Sequence, residues 1–171
     1  IVAVLDEGVK YTHPDLAANM WTNPDPDPEM NDIHGYNFVD NCDIEWTREG
    51  NVGHGTHVAG TIAAVNGNGI GVCGIAGGTG KGDGVRIMSC QIFSGDDSAG
   101  DARAAVAIKY AADHGASILQ CSFGFEAGHA RYDNAFEAAN PLEVEAMRYF
   151  MSKKNCDAID GGLIFFSSGN E

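Results

Sequence analysis

Four short apolar runs rich in β-branched residues, at 1–5, 85–92, 117–121 and 162–167, constrain this chain more than any other feature. Runs of this length, bounded by turn formers, fit strands buried on both faces. Helical patterns lie between them. From Ala99 to His114 the residues Ala102, Val106, Tyr110 and Ala111 recur near helical spacing, and Gly115 follows as a C-terminal cap. Pro141 suits the first turn of a helix reaching about Lys154. A third helix should follow Gly55, through Val58, Ala59, Ile62 and Ala63, until Asn66-Gly67 breaks it. Strands alternating with such helices imply crossover connections, hence an α/β fold, a three-layer α/β/α core with a mostly parallel central sheet. Ligands of open parallel sheets bind beyond the carboxyl ends of the strands. That rule singles out Asp6, the Ser122-Phe123-Gly124 segment and Ser168-Gly169-Asn170.

The 171 residues suit one domain, residues 1–171. A hydrophobic content of 44% with 20% charged residues lets the chain bury a sizeable core. A formal net charge of −14 would repel phosphate backbones, which argues against nucleic-acid partners. No apolar run approaches the ~20 residues a membrane span needs, so no membrane partner is expected. Five cysteines at scattered positions include no Cys-x-x-Cys pair, so mostly buried free thiols are expected, with neither a disulfide framework nor a zinc site. Between residues 21 and 50, Pro24, Pro26 and Pro28 alternate with Asp25, Asp27 and Glu29, and we read a long acidic surface loop. Both ends look cut, the first at a strand and the last just after one.

The segment His54-Gly55-Thr56-His57-Val58-Ala59-Gly60-Thr61 sets two histidines among small residues that let a helix pack closely. An imidazole titrates near neutral pH and shuttles protons when a carboxylate orients it. Asp6, at the end of a buried strand, can be that carboxylate, accepting the ring N–H and stabilising the imidazolium as it forms. His54 and His57 are three apart, whereas zinc helices space their ligands four apart with a Glu between, so metal binding there is disfavoured. Gly69-Ile70-Gly71-Val72-Cys73-Gly74 matches a dinucleotide fingerprint in letters but follows a helix, and Gly80-Lys81 lacks the Ser or Thr of a phosphate loop. Ser122 has nothing of a nucleophile elbow around it.

With these residues set out, the chain resembles the subtilases, the subtilisin-like serine proteases. Three blocks carry the resemblance, in the family's order. They are Val4-Leu5-Asp6-Glu7-Gly8-Val9 with His13-Pro14-Asp15-Leu16, the His54 to Thr61 block, and Ser168-Gly169-Asn170-Glu171. The resemblance implies an N-terminal part of a subtilisin-like catalytic domain, incomplete at its C-terminal side. It makes Asp6 the triad Asp, His54 the general base and Asn170 the side-chain donor to the oxyanion, a role whose removal typically costs ~10²–10³ in rate. His57 becomes a satisfied core histidine. Ser122, Phe123 and Gly124 resemble the segment that pairs with substrate backbone, and Ser98, Ala99 and Gly100 the opposing edge, so the implied partner is an extended polypeptide added as a strand.

The nucleophile is expected in a Gly-Thr-Ser-Met-Ala-type motif beyond Glu171, which leaves these 171 residues inactive alone. Glu7 departs from the family's usual small residue at its position, and the acidic loop widens the spacing from Asp6 to His54. The resemblance also implies a structural calcium site formed by Asp15 with Val65, Asn68, Ile70 and Val72, where one carboxylate, an amide and backbone carbonyls would wrap a hard cation. No organic cofactor is implied. Secretion is the family's habit, and self-association of the isolated chain through exposed apolar surface is expected. A non-catalytic peptide-binding relative that has lost the nucleophile is the rival reading. A cofactor-binding α/β enzyme would need a glycine-rich strand-to-helix turn not found in the chain.

Overall fold

A computed structural model describes residues 1–95, 97, 99–124, 128 and 132–170. At its centre lies a five-stranded, wholly parallel sheet of order β2-β3-β1-β4-β5, formed by β1 (Val2–Asp6), β2 (Gly35–Asn37), β3 (Ile87–Gln91), β4 (Ile118–Cys121) and β5 (Leu163–Phe166). Helix α1 (His54–Ala63) joins the β2 side of the chain to β3, α2 (Asp101–Asp113) joins β3 to β4, and α3 (Asp133–Ala139) with α4 (Pro141–Ser152) joins β4 to β5.

The central strand shows how the layers arise. All five residues of β1 are buried, and successive side chains of a strand point to opposite faces. Ala3 and Leu5 enter one core cluster with Ala107, Ile108 and Ala111 of α2 and Phe150 of α4. Val2 and Val4 enter the other with Ala59 and Ala63 of α1. The strand is therefore apolar on both sides, and truncating Leu5 to Ala would cost about 2–5 kcal/mol. Three layers follow from that single run.

Each helix begins or ends as its residues dictate. Pro141 occupies the first turn of α4, where its missing N–H costs nothing. Gly115, at φ +85°, follows the end of α2 in the left-handed region that a side chain would resist. The residues expected near helical spacing in α2 divide: Tyr110 and Ala111 are buried with Ala104, Ala107, Ile108 and Ala112, whereas Ala102 and Val106 face solvent.

The expectation of a surface loop across 21–50 is also corrected. Residues 24–29 are exposed, but Trp21, Asn23, Asp32, Tyr36, Phe38 and Ile44 are buried. The segment supplies β2, and Asp32 is locked inside by the Asn23 Nδ2–H (2.9 Å) and the Tyr110 hydroxyl (2.7 Å). Five free thiols are present, yet only Cys90 and Cys121 are buried while Cys42 and Cys73 are exposed. Mostly buried thiols were expected; the exposed pair sits on loops that pack too little around it.

Candidate active site

The carboxyl ends of β1, β4 and β5 lie along one edge of the parallel sheet, and the chemistry-bearing residues gather there. Asp6 ends β1 and is 2% exposed. His54 opens α1, and its Nδ1 lies 2.8 Å from Asp6 Oδ1 and 2.9 Å from Oδ2. A carboxylate only accepts, so the proton between them belongs to Nδ1, and in a neutral ring Nε2 then carries the lone pair. The His54 side chain is 49% exposed, whereas that of its partner Asp6 is buried.

The close pairing has a steric condition. A Cβ at Gly55 would stand 2.2 Å from Glu7 O and 3.2 Å from Asp6 Cβ, so only glycine lets the helix start this near the strand end. Burial pushes the Asp6 carboxyl above its ordinary range, and the hydrogen bond from His54 pulls it back down without cancelling the shift. Oδ1 of Asp6 also accepts the Glu7 N–H at 2.7 Å.

A cleft of about 310 Å³ opens beside the pair, bounded by Asp6, Glu7, His54, Phe93, Asp97 and Ser122. Ser122 thus reaches the same cleft, its Oγ accepting the Gln120 Nε2–H at 3.0 Å. Next to it a smaller apolar hollow of about 250 Å³ is lined by Phe123, Gly124, Phe136, Met147 and Phe166. Phe123 stands edge-on to Phe93 on one side and to Phe166 on the other, with centroids 5.2 and 5.8 Å away. The aromatic trio links the two hollows.

Other candidates are placed less closely. Asn170 is exposed four residues past β5, on the carboxyl side of the sheet, and does not line the cleft. Ala99 is half-buried against the core, and Gly100 is the extended residue before α2. Ser98 and Glu171 lie outside the described residues. His57 was expected in the core; it is exposed instead, because α1 buries Ala59 and Ala63 on the side facing the sheet. It lines a hollow of about 650 Å³ on the outer side of α1, away from Asp6.

Asp15 lies on another wall of that outer hollow, 2% exposed. Its Oδ1 accepts the Asn68 Nδ2–H at 2.7 Å, its Oδ2 the Val72 N–H at 2.9 Å, and its main-chain carbonyl the Val65 N–H at 3.0 Å. Asn68 Oδ1 accepts the Ile70 N–H at 3.0 Å, and a Cβ at Gly71 would meet Asp15 Oδ2 at 2.3 Å. The loop therefore closes over one buried carboxylate. Among the described residues no three His, Cys, Asp or Glu side chains gather to hold a metal, so any cation here would depend on that carboxylate with amide and carbonyl oxygens. That oxygen set suits a hard cation in kind, although Asn68 now turns its nitrogen to Asp15.

The contact of Glu7 with the start of α1 is what sequence reasoning missed. Glu7 Oε2 accepts the His54 N–H at 2.9 Å and its Oε1 the Val52 N–H at 3.4 Å. Its departure from a small residue was the one signal.

A profile of the subtilase family matches residues 1–171, and the chain belongs to that family. It is 37% identical over 138 residues to the thermophilic serine proteinase of Bacillus sp. strain AK1, covering 81% of this chain and 29% of that protein. Thermitase of Thermoactinomyces vulgaris is 32% identical over 138 residues, covering 81% of this chain and 42% of its own length. The solved structure of sphericase superposes with a TM-score of 0.62 at 27% identity, covering 99% of this chain and 45% of that one. The chain spans less than half the length of these relatives.

Proposed function

We propose that this chain carries the acid–base half of a serine endopeptidase site. The observation that supports it is the His54 Nδ1–H held by both oxygens of the buried Asp6 carboxylate, with the half-exposed His54 side chain bordering the cleft. In this reading His54 Nε2 takes the proton of a serine hydroxyl supplied by the family's later Gly-Thr-Ser motif. Asp6 then faces an imidazolium and stabilises it, and the proton is handed on to the leaving amine. Asn170 donates its amide N–H to the tetrahedral oxyanion together with the serine N–H. An extended polypeptide lies between residues 98–100 and 122–124 as an added strand, with one side chain in the apolar hollow floored by Phe123 and Phe166.

Around Asp15 the same reading places a structural calcium ion, held by its carboxylate, the Asn68 amide turned over, and the carbonyls of Val65, Ile70 and Val72. Such an ion would supply cross-linking of the loop and no chemistry. Placement outside the cytoplasm rests on the family alone.

Labelling the complete protein with a fluorophosphonate tests the proposal. Wild type should label at one serine, and Asp6→Asn should lower kcat by about 10⁴ by misorienting the imidazole. A Gly-Thr-Ser motif without labelling would sink it. Ala or Gly at the serine position would favour a non-catalytic peptide-binding relative.

A further inference from the structure

Helix α1 has no capping side chain of its own. The residue before it, Gly53, sits at φ +76° and offers only backbone, so the first N–H groups of the helix need an acceptor from elsewhere. Glu7 provides it from the end of the central strand, 47 positions away in sequence, accepting from His54 and, at longer range, from Val52. A carboxylate at the positive end of a helix is doubly favoured, as acceptor and as charge.

The neighbours of these bonds give them meaning. Glu7 N–H donates to Asp6 Oδ1, His54 Nδ1–H donates to the same carboxylate, and His54 N–H donates back to Glu7. Two consecutive residues of the strand end thus hold one residue of the helix at both of its ends, main chain and ring. A ring anchored only through its Nδ1 could tilt with any fraying of the first helical turn. Closing the circuit through Glu7 ties that turn to the strand.

We infer that Glu7 is a positioning residue for the His54 base: its carboxylate fixes the main chain of His54 so that the imidazole meets Asp6 in one orientation. The catalytic consequence rests on the protease reading, but the clamp itself does not. Glu7 also borders the cleft, but both of its carboxylate oxygens are engaged by the Val52 and His54 N–H groups.

Nuclear magnetic resonance on the protein tests this without any turnover. In Glu7→Ala the amide exchange of His54 should quicken about tenfold, the scale of losing one charge-assisted acceptor. The downfield ring Nδ1–H signal of His54 should broaden with it. Glu7→Gln keeps an acceptor oxygen and should recover most of the protection at His54. Asp6→Asn should alter the ring signal while leaving the His54 amide protected. In the complete enzyme Glu7→Ala should lower kcat by about tenfold with KM unchanged. A folded Glu7→Ala protein with both signals unchanged overturns the clamp, as does a loss of protection spread evenly over the core strands. If the signals respond as expected but wild type hydrolyses nothing, the clamp stands and the protease reading falls.

Discussion

Asp101, in the first turn of α2, caps the start of α4: its Oδ1 accepts the Glu143 N–H at 2.6 Å and its Oδ2 the Leu142 N–H at 3.3 Å. Asn140, the residue before α4, contributes no side-chain cap, so this helix too borrows its acceptor from a distant element. The arrangement brings a second carboxyl, Glu143, against Asp101 in a buried position.

Burial first and the Asp101 charge second raise the Glu143 carboxyl above its ordinary value of 4.5. The folded state therefore holds this proton more tightly than the unfolded chain. Its stabilising contribution is full below the ordinary value and is lost as pH rises through the raised folded value. Glu143→Gln removes the charge and should stabilise the protein at neutral pH. A gain on the order of 1 kcal/mol would lift Tm by about 2–4 °C, shrinking toward zero as pH approaches 4.5. Calorimetry across that range checks it, and a benefit that grew on acidification would contradict it.

Calcium at Asp15 would stabilise the folded state by mass action. At one hundred times Kd the linkage is about 2.7 kcal/mol, so Tm should rise by roughly 5–10 °C and fall again with a chelator. Asp15→Asn should abolish the response. An equal response in that variant would place the ion elsewhere.

Thiol alkylation at neutral pH should sort the cysteines by exposure and by charge. Cys73 should react first. Cys42 is also exposed, but burial of its sulfur and then the Asp40 carboxylate push its thiol up, so it should follow more slowly. Cys90 and Cys121, whose thiols burial raises far beyond the ordinary range, should react only on unfolding. Peptide mapping by mass spectrometry reads the order.

Among the described residues β5 forms one edge of the sheet, with Leu163, Phe165 and Phe166 each more than two-fifths exposed. Unpaired backbone beside apolar rings invites strand addition. The 171-residue chain should therefore associate with rising concentration, and Phe165→Lys should shift sedimentation toward monomer. A monomer at all concentrations in wild type would refute this.

The strands were legible where burial on both faces made an apolar run, as in Val2–Leu5 and around Ile87, Met88 and Cys90. Strand β2 was not, because Gly35-Tyr36-Asn37 makes no apolar run. What holds it is parallel pairing to β3, and a Cβ at Gly35 would stand 1.9 Å from Ser89 O. Helix α3 likewise buries none of its residues and leaves no pattern to read. At the site, Asp6 and His54 were visible as residue types that need each other. The work of Glu7 was not, since a bond to a backbone N–H leaves no mark on the sequence of the helix that receives it. The exposure of His57 was hidden for a related reason: which flank of α1 meets the sheet is settled by Ala59 and Ala63.

Gly55 gives the site a vulnerability that no inventory of reactive groups would reveal. With Glu7 O only 2.2 Å from where a methyl would stand, even alanine must lever the helix start off the strand. Asp6, His54 and Glu7 would all survive such a change chemically intact and yet be parted, so their pairing can be undone through an atom the protein does not possess.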